Sequence, residues 1–430
     1  MYCLSAARRE GVLMADSRPT NESVINDFAS YVSPSKVAAY RQMGVDFVPG
    51  RREGVRVWDL DDKRSWIDCR SAGGVFNLGH RPPRIIAALR QALDHLDIGD
   101  HILISQYRAA LAKRLAELTP GDITYTVFGV GGGEAADVAI KLARGYSGKA
   151  GIICVVGAYH GHTGLALAAT DGFSGKFGPL APGFRRVPFG NIEALAEAID
   201  ADTAAVIVET IPATGGMLIP PPDYFPRVRQ LCDETGVLLI IDEVQAGLGR
   251  TGRLWAIDEY EVVPDIMFLG KGMSAAIYPI SATCYRPKLQ AFFDADPFIH
   301  ISTYGGADLG CVTCLAMLDQ ITEPGFLAHV QQLGQRFAEG LAALQKKHPK
   351  IVSEVRQRGL MIGLDMANGM CGPLMVRAMG ERGVISIHAH LRPSTLQIMP
   401  PLIIKAEEVD EVLDALDASL GEVARSLGLT

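Results

Sequence analysis

Residues 237–250 read VLLIIDEVQAGLGR: five apolar residues in unbroken succession, then Asp242, Glu243 and Gln245. A strand wet on one face alternates apolar with polar, so an unbroken run implies burial on both faces. That happens in a mostly parallel sheet with helices on either side. Gly151–Val156, Ala204–Val208 and Ile266–Leu269 read the same way, and Tyr125–Val130 makes a fifth predicted strand. Between them Glu134–Tyr146 places apolar residues at 135, 138, 139, 142, 143 and 146, the stripe of a helix lying on a sheet. The fold class is therefore α/β.

Working outward, residues 54–68, GVRVWDLDDKRSWID, alternate around Asp61-Asp62 and predict a β-hairpin. Past residue 310, long amphipathic stretches (Leu327–Lys346 and Ala406–Ala424) and short strands near 360–366 and 384–387 replace the earlier alternation. A chain of 430 residues is longer than one core usually grows. The pattern divides it into a large α/β domain over 76–309 and a small α+β domain assembled from 21–75 and 310–430. Residues 1–20 are expected to be an unstructured extension, with Met14 as an alternative start.

Apolar residues make up 48% and charged residues 21%, a balance that excludes wholesale disorder. The net charge is −7 with no basic stretch, which argues against nucleic acid and anionic membrane as partners. No apolar run approaches the length of a membrane span. The opening MYCLSAARREGVLMADS lacks the basic flank, apolar run and small-residue cleavage site of a secretion signal. Of the eight cysteines, Cys311 and Cys314 form a CxxC with no second pair at zinc spacing. Buried, reduced thiols in a cytoplasmic protein are expected.

Ligands in open α/β sheets sit beyond the carboxyl ends of the strands, and three stretches reach that edge. Residues 128–134, FGVGGGE, lead a strand through glycines into a helix, where unpaired N–H groups and the helix dipole suit a phosphate. Glu134 breaks the GxGxxG of a dinucleotide site, and a plain tight turn uses the same residues. Asp242 ends its strand where an acid can hold a metal, bind a ribose, pair with a ring nitrogen or cap a helix. Residues 265–273, DIMFLGKGM, set Lys271 between two glycines after a buried strand. Most lysines are solvated, but this amine has no room to reach water and is expected in a cleft. Desolvation there lowers its proton affinity and frees it for Schiff-base chemistry. An anion cradle, an acid and a sequestered amine at one edge are the set that pyridoxal 5'-phosphate requires.

The run IIDEVQAGLGRTGRLWAID, followed by PDIMFLGKGM, resembles the signature of the class III (ornithine/4-aminobutyrate type) pyridoxal-phosphate aminotransferases. WDLDDKRSWID, FNLGHRPP, VRQRGLMIG and MPPLII fall around it in the family's order. The resemblance implies fold type I and a homodimer with active sites at the subunit interface. It implies that Lys271 joins the cofactor aldehyde and later moves the proton, and that Asp242 keeps the pyridine nitrogen protonated. Val244 then packs under the ring, Gln245 lies near the 3-hydroxyl, and Tyr159 stacks on the other face with His160 following it toward the substrate side. Gly132 and Gly133 match the phosphate loop, Thr303 the hydroxyl reaching the neighbouring subunit's phosphate, and Glu209 an acid beside the cofactor.

The chain departs from that family at several points. Val130-Gly131-Gly132-Gly133-Glu134 lacks the usual hydroxyl donors of the phosphate loop, and Ala307-Asp308 replaces an Asn-Pro. Gln397 stands where amino-acid-specific members hold the α-carboxylate with arginine, and Thr214 where the glutamate that parks this arginine would be. Glutamine does not replace a bidentate arginine contact, and Arg392 is the alternative carboxylate hand. The expected reaction is ping-pong transfer between an amino donor and a carbonyl acceptor, one partner being an amine or an amino sugar of the aminoglycoside type. An epimerase, decarboxylase or phospho-lyase on the same scaffold is the alternative.

Overall fold

The computed structural model describes residues 19–429. The predicted extension lies outside the described residues up to 18, whereas Thr20 accepts the Ser23 N–H and caps the helix Asn21–Tyr31.

Seven strands form the large sheet: β1 (Tyr125–Gly129), β2 (Gly151–Val155), β3 (Phe184–Val187), β4 (Thr203–Glu209), β5 (Leu238–Asp242), β6 (Ile266–Leu269) and β7 (Ser281–Tyr285). Their order is β1-β7-β6-β5-β4-β2-β3. Only β7 is antiparallel to its neighbours, so the sheet is mostly parallel, as expected. In β5, Leu238 and Ile240 share a core with Ala139, Ile140 and Ala143 of helix α1 (Gly132–Ser147). Leu239 and Ile241 face the opposite core with Phe225, Val228 and Trp255. Each such side chain contributes about 1.5–3 kcal/mol on burial, which is why the run contains no polar residue.

The predicted hairpin forms from Arg56–Asp59 and Ser65–Asp68, paired Val57 to Trp66. A second core gathers Val330, Leu333, Phe337 and Leu341 of the helix Phe326–Lys347 against Leu416 and Leu420 of Ala406–Ser426 and the strand Met361–Met366. The helix Asp308–Ile321, assigned from sequence to the small domain, instead sends Cys311, Cys314, Met317 and Leu318 into the large core. The seam between the cores thus follows residue 321 rather than 309. All seven cysteines among the described residues are free and buried, and burial pushes the Cys311 thiol up to about 12. No helix among the described residues is long and apolar enough to cross a membrane.

The sheet's carboxyl edge places the chemistry. Register pairs Glu209 with Asp242 and Asp242 with Phe268, and Lys271 follows the end of β6 by two residues with φ +41°.

Candidate active site

Lys271 is enclosed at this edge. Its Nζ donates to Gln245 Oε1 at 2.8 Å, and the Gln245 amide donates in turn to Met399 Sδ at 3.3 Å. Burial lowers the proton affinity of the amine, the Asp242 and Glu209 carboxylates oppose that, and the positive charge of Arg70 adds to it; the net direction is down. Asp242 is buried. Its Oδ2 lies 2.8 Å from His160 Nδ1, and its Oδ1 accepts the Val244 N–H at 2.9 Å. Glu209 Oε2 accepts the Tyr159 N–H at 3.0 Å. Burial first, then the nearby Asp242 charge, hold the Glu209 carboxyl well above the usual range, against the pull of the Tyr159 N–H and the Lys271 charge.

The glycine stretch packs tightly around an open helix start. Gly131 is the N-cap of α1 and provides no side-chain cap. A Cβ on Gly132 would meet Val244 Cγ1 at 3.1 Å, one on Gly270 would meet Gly132 Cα at 3.3 Å, and one on Gly161 would lie 2.6 Å from Gly133 Cα. At Gly161 only glycine fits, and at Gly132 and Gly270 a larger residue would push its neighbours apart. A hydroxyl from another loop lies close by: Thr163 Oγ1 would be 3.0 Å from a Cβ on Gly133. The cradle at the start of α1, the buried carboxylate of Asp242 and the sequestered amine of Lys271 fit the phosphate, ring nitrogen and aldehyde of pyridoxal phosphate.

A model of class-III aminotransferases matches residues 38–420. The chain belongs to the class-III aminotransferases. An uncharacterized aminotransferase of Archaeoglobus fulgidus is 52% identical over 398 residues, which span 92% of this chain and 93% of that protein. The ornithine aminotransferase of Toxoplasma gondii ME49 superposes with a TM-score of 0.88 at 29% identity, covering 95% of this chain and 97% of that one. A second structure of the Toxoplasma gondii enzyme, with partial occupancy of pyridoxal phosphate at its active site, gives 0.84 at 29% identity, covering 95% and 99%. This class-III aminotransferase is a pyridoxal-phosphate-dependent enzyme of fold type I.

The remaining sequence assignments divide. Tyr159 is half-buried at the aminotransferase site, its ring 5.3 Å from His162 and edge-on to Phe173. Thr303 lies exposed in the turn before Gly305, without a hydrogen bond to any described residue. Thr214 is half-buried, and its carbonyl accepts the Leu391 N–H at 3.1 Å. Two substrate assignments are corrected. The His160 ring is wholly enclosed, edge-on to Phe268 and bonded to Asp242, so it orients that carboxylate and touches no substrate. Arg392 is committed to Asp365, Nη2 to Oδ2 at 2.5 Å and Nε to Oδ1 at 3.3 Å, and is no free carboxylate hand. Gln397 lines the same cavity as Lys271, but its amide donates to the Ala213 carbonyl at 2.6 Å. Sequence reasoning missed Arg70, Thr163 and Met399, because no spacing rule links the loops that bring them here.

Proposed function

We propose that this aminotransferase transfers an amino group from an amine or amino-sugar donor that lacks an α-carboxylate to a carbonyl acceptor. It does so by a ping-pong reaction, as a cytoplasmic homodimer, and the aminoglycosides of antibiotic biosynthesis are the amino-sugar class in view. The observation carrying this reading is Gln397: a neutral amide already bonded to Ala213 offers a substrate carboxylate neither charge nor a bidentate fork. Arg392, held by Asp365, does not stand in for it.

When bound, pyridoxal phosphate supplies an aldehyde for amines and a ring that accepts carbanion electrons. The chain's own contribution is positional and protonic. Lys271 Nζ, kept short of protons by burial, serves as nucleophile and then carries a proton from the donor carbon. Asp242, fixed by His160 and the Val244 N–H, would hold the ring nitrogen with its carboxylate. The amides at the start of α1 and Thr163 would receive the phosphate, and Val244, Tyr159 and Gln245 would hold the ring.

The homodimer is supported by an exposed apolar surface. Ile102, Leu103 and Ile104 on one loop, and Phe298 and Ile301 on another, are exposed and flank a cavity of about 430 Å³, with exposed Ile299 and Tyr304 on the same stretch as the latter two. Patches of that extent on a soluble chain mark an interaction face.

The test compares donors. Purified enzyme should turn over amines and amino sugars while ornithine and 4-aminobutyrate react poorly, with ¹⁵N from the donor appearing in the acceptor. The double variant Thr214→Glu/Gln397→Arg should gain turnover of the two amino acids. Efficient wild-type use of ornithine or 4-aminobutyrate refutes the donor assignment, and loss of substrate without nitrogen transfer refutes the reaction.

A further inference from the structure

One cation at the site has no role in the reaction described so far. Arg70 lines the cavity of about 200 Å³ that it shares with Lys271, Gly73, Gln397 and Met399. It also lines the adjoining groove, about 480 Å³, walled by Phe28, Tyr40, Phe47 and Ile387. Its backbone is fixed, with the N–H donating to Asp68 Oδ1 at 3.0 Å. Its guanidinium nevertheless makes no hydrogen bond or ion pair with any described residue. Asp68, the nearest acid in sequence, is occupied by the N–H groups of Arg70 and Ser71 and by His80 Nε2 at 3.0 Å. The charge of Arg70 already reaches the reacting amine, being one of the influences that lower its proton affinity.

The other side chains considered for an acidic group are tied down, Arg392 by Asp365 and Gln397 by Ala213. An unpaired guanidinium at the mouth of a site is the group that grips a carboxylate through two parallel hydrogen bonds. We propose that Arg70 is the specificity-determining hand for the acidic co-substrate, holding the carboxylate of a 2-oxo acid acceptor in the half-reaction opposite the amine donor. This rests on the division of partners proposed above. One pocket then serves both half-reactions: the amine leaves Arg70 in water, and the oxo acid pairs with it.

Holoenzyme titrated with propionate, and with propionamide as the uncharged control, tests this through the change in cofactor absorbance. Arg70→Gln should weaken propionate by roughly 10–100-fold, the loss of a charge-assisted pair, and leave propionamide within about twofold. The KM for pyruvate should rise with kcat little changed, the KM for the amine should stay, and Arg70→Lys should recover part of the loss. The pH midpoint of the cofactor absorbance should rise, because a cation beside Lys271 is gone. Equal propionate binding in wild type and Arg70→Gln overturns the proposal, as does parallel loss of both probes. Failure of the donor assignment reads differently: the amine and amino-sugar donors would then go without turnover, while the propionate titration still reports on Arg70.

Discussion

At Lys271 the side chain is ordinary and its surroundings set its reactivity. Desolvation disfavours the ammonium, and the two acids beside it pull the other way. They are not equivalent: the Asp242 charge acts more strongly on the amine than that of Glu209, whose own carboxyl burial pushes up. Labelling of the apoenzyme amine with trinitrobenzenesulfonate should therefore show a midpoint below that of a surface lysine. Asp242→Asn should move it down by about one pH unit or more, and Glu209→Gln should move it down by less. Lys271→Ala should cost about 10²–10⁴-fold or more in amino transfer, since the proton carrier is lost. Glu243, beside this machinery, does structural work: it accepts from the Thr210 hydroxyl and the Ala256 and Ile257 N–H groups, and burial raises it to about 7. A carboxyl raised from its unfolded value stabilises fully below that value and loses the contribution as pH climbs through the folded one. The stability of wild type relative to Glu243→Gln should thus fall by about 3 kcal/mol between pH 4.5 and 7, measured by urea unfolding.

The strands and loops differ in how openly the sequence declares them. β2, β4, β5 and β6 are runs of apolar residues with both faces buried, and each was readable alone. β7 was not, because Ser281 and Thr283 interrupt it; the buried Thr283 hydroxyl donates to the Ala135 carbonyl across to α1. β3 hides behind Arg185 and Arg186, an edge strand whose guanidinium groups reach Asp200 and the Ala168 and Thr170 carbonyls. Lys271 and Asp242 were legible because each ends a buried strand. The fates of Arg392 and His160 were not, since their partners lie 27 and 82 residues away. The loops carry a prediction of their own. Gly161 has φ +138° and would place a Cβ 2.6 Å from Gly133 Cα, a backbone contact that cannot yield without opening the cradle. Gly161→Ala should cost about 1–3 kcal/mol and speed cofactor dissociation. Gly148→Ala is the control: φ is +68° at the end of α1, but nothing lies within 4 Å. It should cost about 1 kcal/mol and leave cofactor retention unchanged.

Over the whole molecule, two cores must keep their relation for the site to exist. The small domain grips one loop of the large domain at three carbonyls: Gln397 at Ala213, the Leu391 N–H at Thr214, and Arg356 Nε at Gly216. That loop follows β4, which ends in Glu209, so the grip fixes the acid's side of the pocket from outside. The opposite side is open in a single chain, where Thr303 and the apolar loops around it face solvent. If a second copy covers that face, Lys271 of one chain and Thr303 of the other serve the same site. Mixing two defective variants decides this. Lys271→Ala lacks the amine, and Thr303→Ala should retain cofactor poorly; refolded together, they form mixed dimers in which one site has both groups and the other has neither. Random pairing makes about half the dimers mixed, so about a quarter of wild-type activity should return at low cofactor concentration. A mixture no more active than its components would place Thr303 within its own chain's site, and a fully active Thr303→Ala would remove it from the site altogether.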